Sequence, residues 1–91
     1  MNTKLNKPFA ANSAVDEFDV RAIKRGLNWL GYYTPYEKVG ISPYPDQAIF
    51  EAIQKFQDDQ GLPKTDAMKP DDETEKALSR ELSRKLKGQK V

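Results

Sequence analysis

An all-α, compact three-helix bundle is the fold this 91-residue sequence predicts. Three observations carry it. Three stretches repeat their apolar residues at helical spacing, each stretch has an acidic capping residue in front, and proline- and glycine-rich connections separate them. None of the three can bury its apolar face alone, so they must pack on one another.

The first helix is expected over about 17–33. Asp16 or Asp19 can cap it, and Val20, Ile23, Leu27 and Leu30 recur at spacings of three, four and three. At about 100° per residue these four fall within a sector of roughly 80°. Gly31 can close the helix in the left-handed conformation. A long Tyr/Pro-rich loop follows, GYYTPYEKVGISPYPD, in which Pro35, Pro43 and Pro45 forbid a continuous helix.

Asp46 is a good N-cap for a second helix over about 46–60, with Ile49, Ala52, Ile53 and Phe56 as the inward stripe and Ala48 beside it. Gly61 and Pro63 stop it. LPKTDAMKP reads as a compact turn. The third helix, about 71–87, opens on Asp72 and Glu75 in the form of a capping box. Its acidic front and its basic back (Arg84, Lys85, Lys87) complement the helix dipole. Leu78, Leu82 and Leu86 form its apolar line, with Ala77 alongside. Residues 1–15 show little periodicity and read as an N-terminal arm, and 88–91 as a C-terminal tail, leaving 16–87 as the one domain. With both ends discounted, the core is expected to be thin.

Composition excludes much chemistry. The chain has no His and no Cys, which removes disulfides, thiolate nucleophiles, histidine-dependent triads and nearly all catalytic zinc sites. No glycine-rich phosphate cradle is present, and no cofactor or metal is expected. Net charge is +1, which argues against a dedicated nucleic-acid binder. Residues 76–91 hold six basic residues against Glu81 alone, but with no interleaved aromatic platform this reads as a solvated helix end. No apolar run approaches a membrane span. Glycan cleavage would need two facing carboxylates, one desolvated. The acids here lie at helix starts (Asp71, Asp72, Glu73, Glu75) or in a polar stretch (Asp58, Asp59), where capping and solvation account for them. No enzyme is expected.

Three segments, DVRAIKRGLNWLGYY, EAIQKFQDDQGLPKTDAM and ETEKAL, together resemble the peptidoglycan-binding domain found beside amidases, muramidases and transpeptidases. Such modules carry a Val and Leu-type ladder ending in L-G-Y, matched here by Val20, Ile23, Leu27, Leu30, Gly31 and Tyr32. Their second element is matched by Ala52, Ile53, Phe56, Gln57, Gly61 and Leu62, and their third by Asp66, Thr74, Ala77 and Leu78. Phe56-Gln57 followed by Gly61-Leu62 is the most specific part. The chain departs from the family form at Ala67, where a Gly is usual, and at Ile49, where a Thr is usual. It also has a longer stretch between Asp66 and Thr74 and a long 34–45 loop. The Y-P-D loop together with the M-K-P turn is similar to phage or prophage versions.

The resemblance implies a three-helix module that binds the glycan or stem peptide of peptidoglycan and holds a partner at the wall, such as a separate wall hydrolase or a virion protein. A monomer is expected. The opening residues lack the uninterrupted apolar stretch of a secretory signal, so the expectation is synthesis in the cytoplasm and action at the wall after lysis or on a particle. A second reading stays open, in which the fold serves as an adaptor that binds another protein.

Candidate contact residues lie around the first loop and the second helix. Trp29 falls roughly 140° from the centre of the first helix's apolar face, either as a stacking platform or as a cover for the arm, with Phe9 and Phe18 as partners. Tyr33, Tyr36 and Tyr44 offer an apolar face and a hydroxyl on a loop over a rigid scaffold. Asp46, Gln54 and Gln57 border the same region. Amides can pair with acetamido groups and peptide backbone, although Gln57 can equally tie down a loop.

Overall fold

The computed structural model describes residues 4–88. Three helices follow one another, α1 (Glu17–Leu30), α2 (Gln47–Asp59) and α3 (Glu73–Gly88), and the described residues contain no strand beyond two isolated bridges. The expected all-α bundle is what is found. α1 is the central helix and packs on both α3 and α2. Gly26 lets it pack tightly on α3, since an added Cβ there would stand 3.1 Å from Leu82 Cδ1.

Asp16, not Asp19, caps α1, its Oδ1 accepting the N–H groups of Phe18 at 2.8 Å and Asp19 at 3.0 Å. α1 ends at Leu30, earlier than the expected Tyr33. Gly31 adopts φ +92, and the Tyr32 and Tyr33 N–H groups turn back to the Leu27 carbonyl. α2 starts behind the Asp46 cap, with Ile49 N–H donating to Asp46 Oδ1 at 2.8 Å. It terminates before Gly61 at φ +72. In the following turn Asp66, rather than Ala67, takes the left-handed backbone at φ +55. Aspartate tolerates that region better than alanine.

The capping box of α3 is half formed. Asp72 Oδ1 accepts from Glu75 N–H at 2.8 Å, but the Glu75 carboxylate does not return to the cap residue. One oxygen accepts from Asp71 N–H at 3.0 Å and the other from Leu5 N–H at 2.6 Å. Glu75 is thus buried and bonded, not solvated as expected.

The anticipated stripes supply most of the core: Val20, Ile23, Leu27, Ile49, Ala52, Ile53, Phe56, Ala77, Leu78 and Leu82 are buried. At their margins the pattern differs. Leu30 is half-buried, Ala48 is exposed, and Leu86, on the last turn of α3, is 43% exposed. The larger correction concerns residues expected to stay out of the core. Leu5 and Phe9 in the arm, Met68 in the 62–70 turn and Tyr33 in the first loop are all buried. Phe9 and Met68 form an antiparallel bridge, with N–H to carbonyl distances of 2.7 and 2.9 Å. The Phe9 ring packs at 5.4 Å from that of Phe50. Asp19, the second capping candidate, instead holds the arm by accepting from the N–H groups of Asn6 and Lys7. Two buried carboxylates, Asp19 and Glu75, therefore satisfy the backbone donors of a segment that has no regular structure of its own. Residues 1–3 of the expected arm and 89–91 of the expected tail, including Lys90 of the basic end, lie outside the described residues.

Candidate functional site

An open groove of about 350 Å³ runs between the turn after α1 and the front of α2. Tyr32, Tyr33 and Thr34 form one wall, Glu51 and Lys55 the other, and the small Ala48 and Ala52 lie between them as its floor. The rings of the first wall are held by their hydroxyls. Tyr32 OH donates to Asp59 Oδ2 at 2.6 Å, and its ring meets Phe56 edge-on at 5.4 Å. Tyr33 OH donates to Asp46 Oδ2 at 2.8 Å. Burial and the neighbouring carboxylates both disfavour phenolate, so the Tyr32 hydroxyl is pushed up to about 12, mainly by desolvation and then by Asp59. Tyr33 is pushed up further, by desolvation and then Asp46.

Lys24 anchors the loop behind this wall. Its side chain is 1% exposed. Nζ donates to Ser42 Oγ at 3.0 Å and to the Tyr44 carbonyl at 2.5 Å, lies 3.4 Å from Asp46 Oδ2, and stands 5.7 Å from the centre of the Tyr33 ring. One cation thus joins both ends of the Tyr/Pro-rich loop to the N-terminus of α2. In between, the loop folds on itself, with Val39 and Gly40 N–H groups donating to the Tyr36 carbonyl. That fold turns Tyr36, Val39 and Tyr44 outward, each about two-thirds exposed.

The sequence-derived candidates divide accordingly. Of the seven, Tyr33 alone lines the groove, and it does so as a buried part of the wall rather than a free side chain. Tyr36 and Tyr44 are exposed on the loop. Asp46 is a cap and a partner of Lys24. Gln54 is exposed on α2, its Nε2 donating to the Lys64 carbonyl at 3.4 Å. Trp29 is half-buried against the edge of the core. Of its suggested partners, Phe9 lies in the core cluster against which Trp29 packs, and Phe18 is 73% exposed.

Gln57 is buried and ties down the following turn. Nε2 reaches Thr65 Oγ1, the Ala67 carbonyl and Thr74 Oγ1 at 3.0–3.1 Å, and Oε1 accepts from Asp66 N–H at 2.9 Å. It forms the back of a smaller depression of about 240 Å³ bounded by Leu62, Pro63, Thr65, Asp72 and Thr74.

Sequence reasoning missed Tyr32, Thr34, Glu51 and Lys55 as groove residues, and Lys24 as the loop's anchor. A signal for Glu51 and Lys55 was present. Positions 48, 51 and 55 form a stripe beside the core stripe of α2, and its members are small or charged. Lys24 carries no comparable local signal. Among the described residues no three His, Cys, Asp or Glu side chains converge as metal ligands would, and no helix is long and apolar enough to cross a membrane.

A family model described as "Putative peptidoglycan binding domain" matches residues 17–78. Comparison with curated proteins and with solved structures gives no match.

Proposed function

From the chain's membership of the peptidoglycan-binding-domain family, to which it belongs by a match across most of its length, we propose that it is a non-catalytic module that binds the bacterial wall polymer and holds a partner there. The family match is the observation that carries this reading. The pinned loop supports it, because Lys24 and Asp46 present Tyr36 and Tyr44 on a rigid base next to an open groove. Tyr36, Tyr44, Trp29 and Gln54 contact the polymer, while Tyr33, Asp46 and Gln57 hold the surface in shape. The surface is small and affinity per site is low, so the module works by raising the local concentration of a wall hydrolase or virion component. It acts as a monomer, at the wall, after lysis or as part of a particle.

Co-sedimentation with washed, insoluble peptidoglycan tests this. Saturable pelleting, reduced in folded Trp29→Ala or Tyr36→Ala variants, is the expected result. Equal pelleting of all three keeps the function and moves the contact surface. No pelleting above an unrelated basic protein, over a range of salt, overturns the reading. It would favour the adaptor, for which the outward Tyr36, Val39 and Tyr44 are the supporting observation.

A further inference from the structure

The polar groups left free in the groove are mostly charged. Both phenol protons are already donated, Tyr32 to Asp59 and Tyr33 to Asp46. Tyr33 is buried and Tyr32 is half-buried against Phe56, so the groove's exposed ring surface is at most part of one residue, Tyr32. What remains is the Thr34 hydroxyl, the Glu51 carboxylate and the Lys55 ammonium, all exposed.

Glu51 and Lys55 are four residues apart in the order that favours an internal ion pair. They nevertheless form none among the described residues, where ion pairs involve other groups. Glu51 accepts instead from Gln47 Nε2 at 3.1 Å. Each charge therefore keeps capacity for a ligand group of opposite sign. The two side chains start about 5–6 Å apart, and the floor beside them is built from the small Ala48 and Ala52.

Resting on the wall-binding reading, we propose that this groove takes a peptide segment bearing both a free amine and a free carboxylate, not a neutral sugar chain. Glu51 receives the amine, Lys55 receives the carboxylate, and the alanine floor accepts small side chains. A neutral sugar would need an exposed ring face and several uncharged donors and acceptors. The groove supplies Thr34 alone as an uncharged side chain with a free hydroxyl proton. Opposite charges one helical turn apart are complementary to a short zwitterion and also fix its direction.

The test combines wall pelleting with 1H–15N spectra of the labelled chain. Its probes are a stem-type peptide with a free side-chain amine and free carboxy terminus, the same peptide acetylated on the amine, the same peptide amidated at its end, and a neutral N-acetylglucosamine oligomer. The free peptide is expected to shift the signals of Thr34, Glu51 and Lys55. Acetylation should weaken binding roughly two- to fivefold, the range for an exposed ion pair. Glu51→Gln should weaken the free peptide by the same factor and the acetylated one no further. Lys55→Gln should stand in the same relation to the amidated peptide. Both variants alter exposed side chains, and an unchanged unfolding midpoint confirms their fold.

Equal binding of free and blocked peptides overturns the proposal, as does a groove that responds to the sugar oligomer and not to peptide. Pelleting with the wall while no peptide moves the groove signals overturns it and leaves wall binding standing. Absence of pelleting removes the wall-binding reading itself, whereas the charge rule in the peptide titrations still decides the groove's chemistry.

Discussion

Lys24 of α1 and Asp46, the cap of α2, meet inside the protein with Nζ 3.4 Å from Oδ2. A cation with 1% exposure is costly to desolvate and persists only where partners surround it. Here the Ser42 hydroxyl, the Tyr44 carbonyl and the Tyr33 ring complete the set. Since Tyr33 OH also donates to Asp46 Oδ2, the three residues form one closed network.

Lys24→Met keeps the length of the side chain and removes its charge. The Tyr44 carbonyl and Asp46 each lose a partner, and the expected cost is about 2–3 kcal/mol. A denaturant midpoint measures it, and limited proteolysis within 36–44 should accelerate in the variant. A change under about 0.5 kcal/mol, the range of ordinary surface substitutions, would mean that the loop holds itself without Lys24.

The arm contributes to stability through Phe9, which is fully buried. Phe9→Ala should cost about 3–5 kcal/mol, a large share of what so small a domain has. Glu75→Gln tests the polar part of the same attachment, because the carboxylate uses both oxygens, one for Leu5 N–H and one for Asp71 N–H, and an amide keeps only one acceptor. About 1–3 kcal/mol is expected from losing one charge-assisted bond and leaving its donor without an acceptor. Thermal or urea unfolding of both variants checks the order.

Gln57→Leu preserves bulk and removes every bond to the 65–74 segment. Asp66 N–H then lacks the side-chain partner it has now, and the Ala67 carbonyl keeps only the Thr65 hydroxyl, for an expected loss of about 1–3 kcal/mol. Hydrogen exchange should rise at Asp66 in particular. An unchanged exchange rate there would show that Gln57 does not secure the turn.

Alkaline pH should destabilise the fold through Tyr32 and Tyr33. A phenol whose folded value is raised, to about 12 for Tyr32 against an ordinary 10.0, favours folding while both states are protonated. As pH rises above 10 the unfolded chain releases the proton first, so stability falls, and the contribution is gone once pH passes the folded value. Unfolding midpoints between pH 9 and 12, a range around the ordinary tyrosine value, should decline less steeply in Tyr32→Phe. Phenolate absorbance should lose a late-ionising component in the same variant.

Much of the fold was legible because its determinants are local. The spacing of Val20, Ile23 and Leu27, the caps at Asp16 and Asp46 and the stops at Gly31 and Gly61 each act over one or two helical turns. Their consequences appear where the sequence placed them. Aspartate at two adjacent candidate caps already exposes the limit. Asp16 and Asp19 are equivalent in pattern, and only the return of Asn6 and Lys7 to α1 separates a cap from a clamp.

The candidate site was less legible for the same reason. The region, loop plus front of α2, follows from composition, but which side of each residue faces solvent does not. Tyr33 and Tyr36 look alike in sequence, yet one is buried in the groove wall and the other stands in solvent.

The sequence by itself determined three helices, their order, the glycines that stop the first two and the family to which the chain belongs. Tertiary structure alone decided that Phe9 and Met68 enter the core, that Lys24, Asp19 and Glu75 are buried, and that Glu51 and Lys55 border the groove. Periodicity reports which face of an element is apolar. It does not report which distant backbone groups arrive needing a partner, and those groups are what draw charged side chains inside.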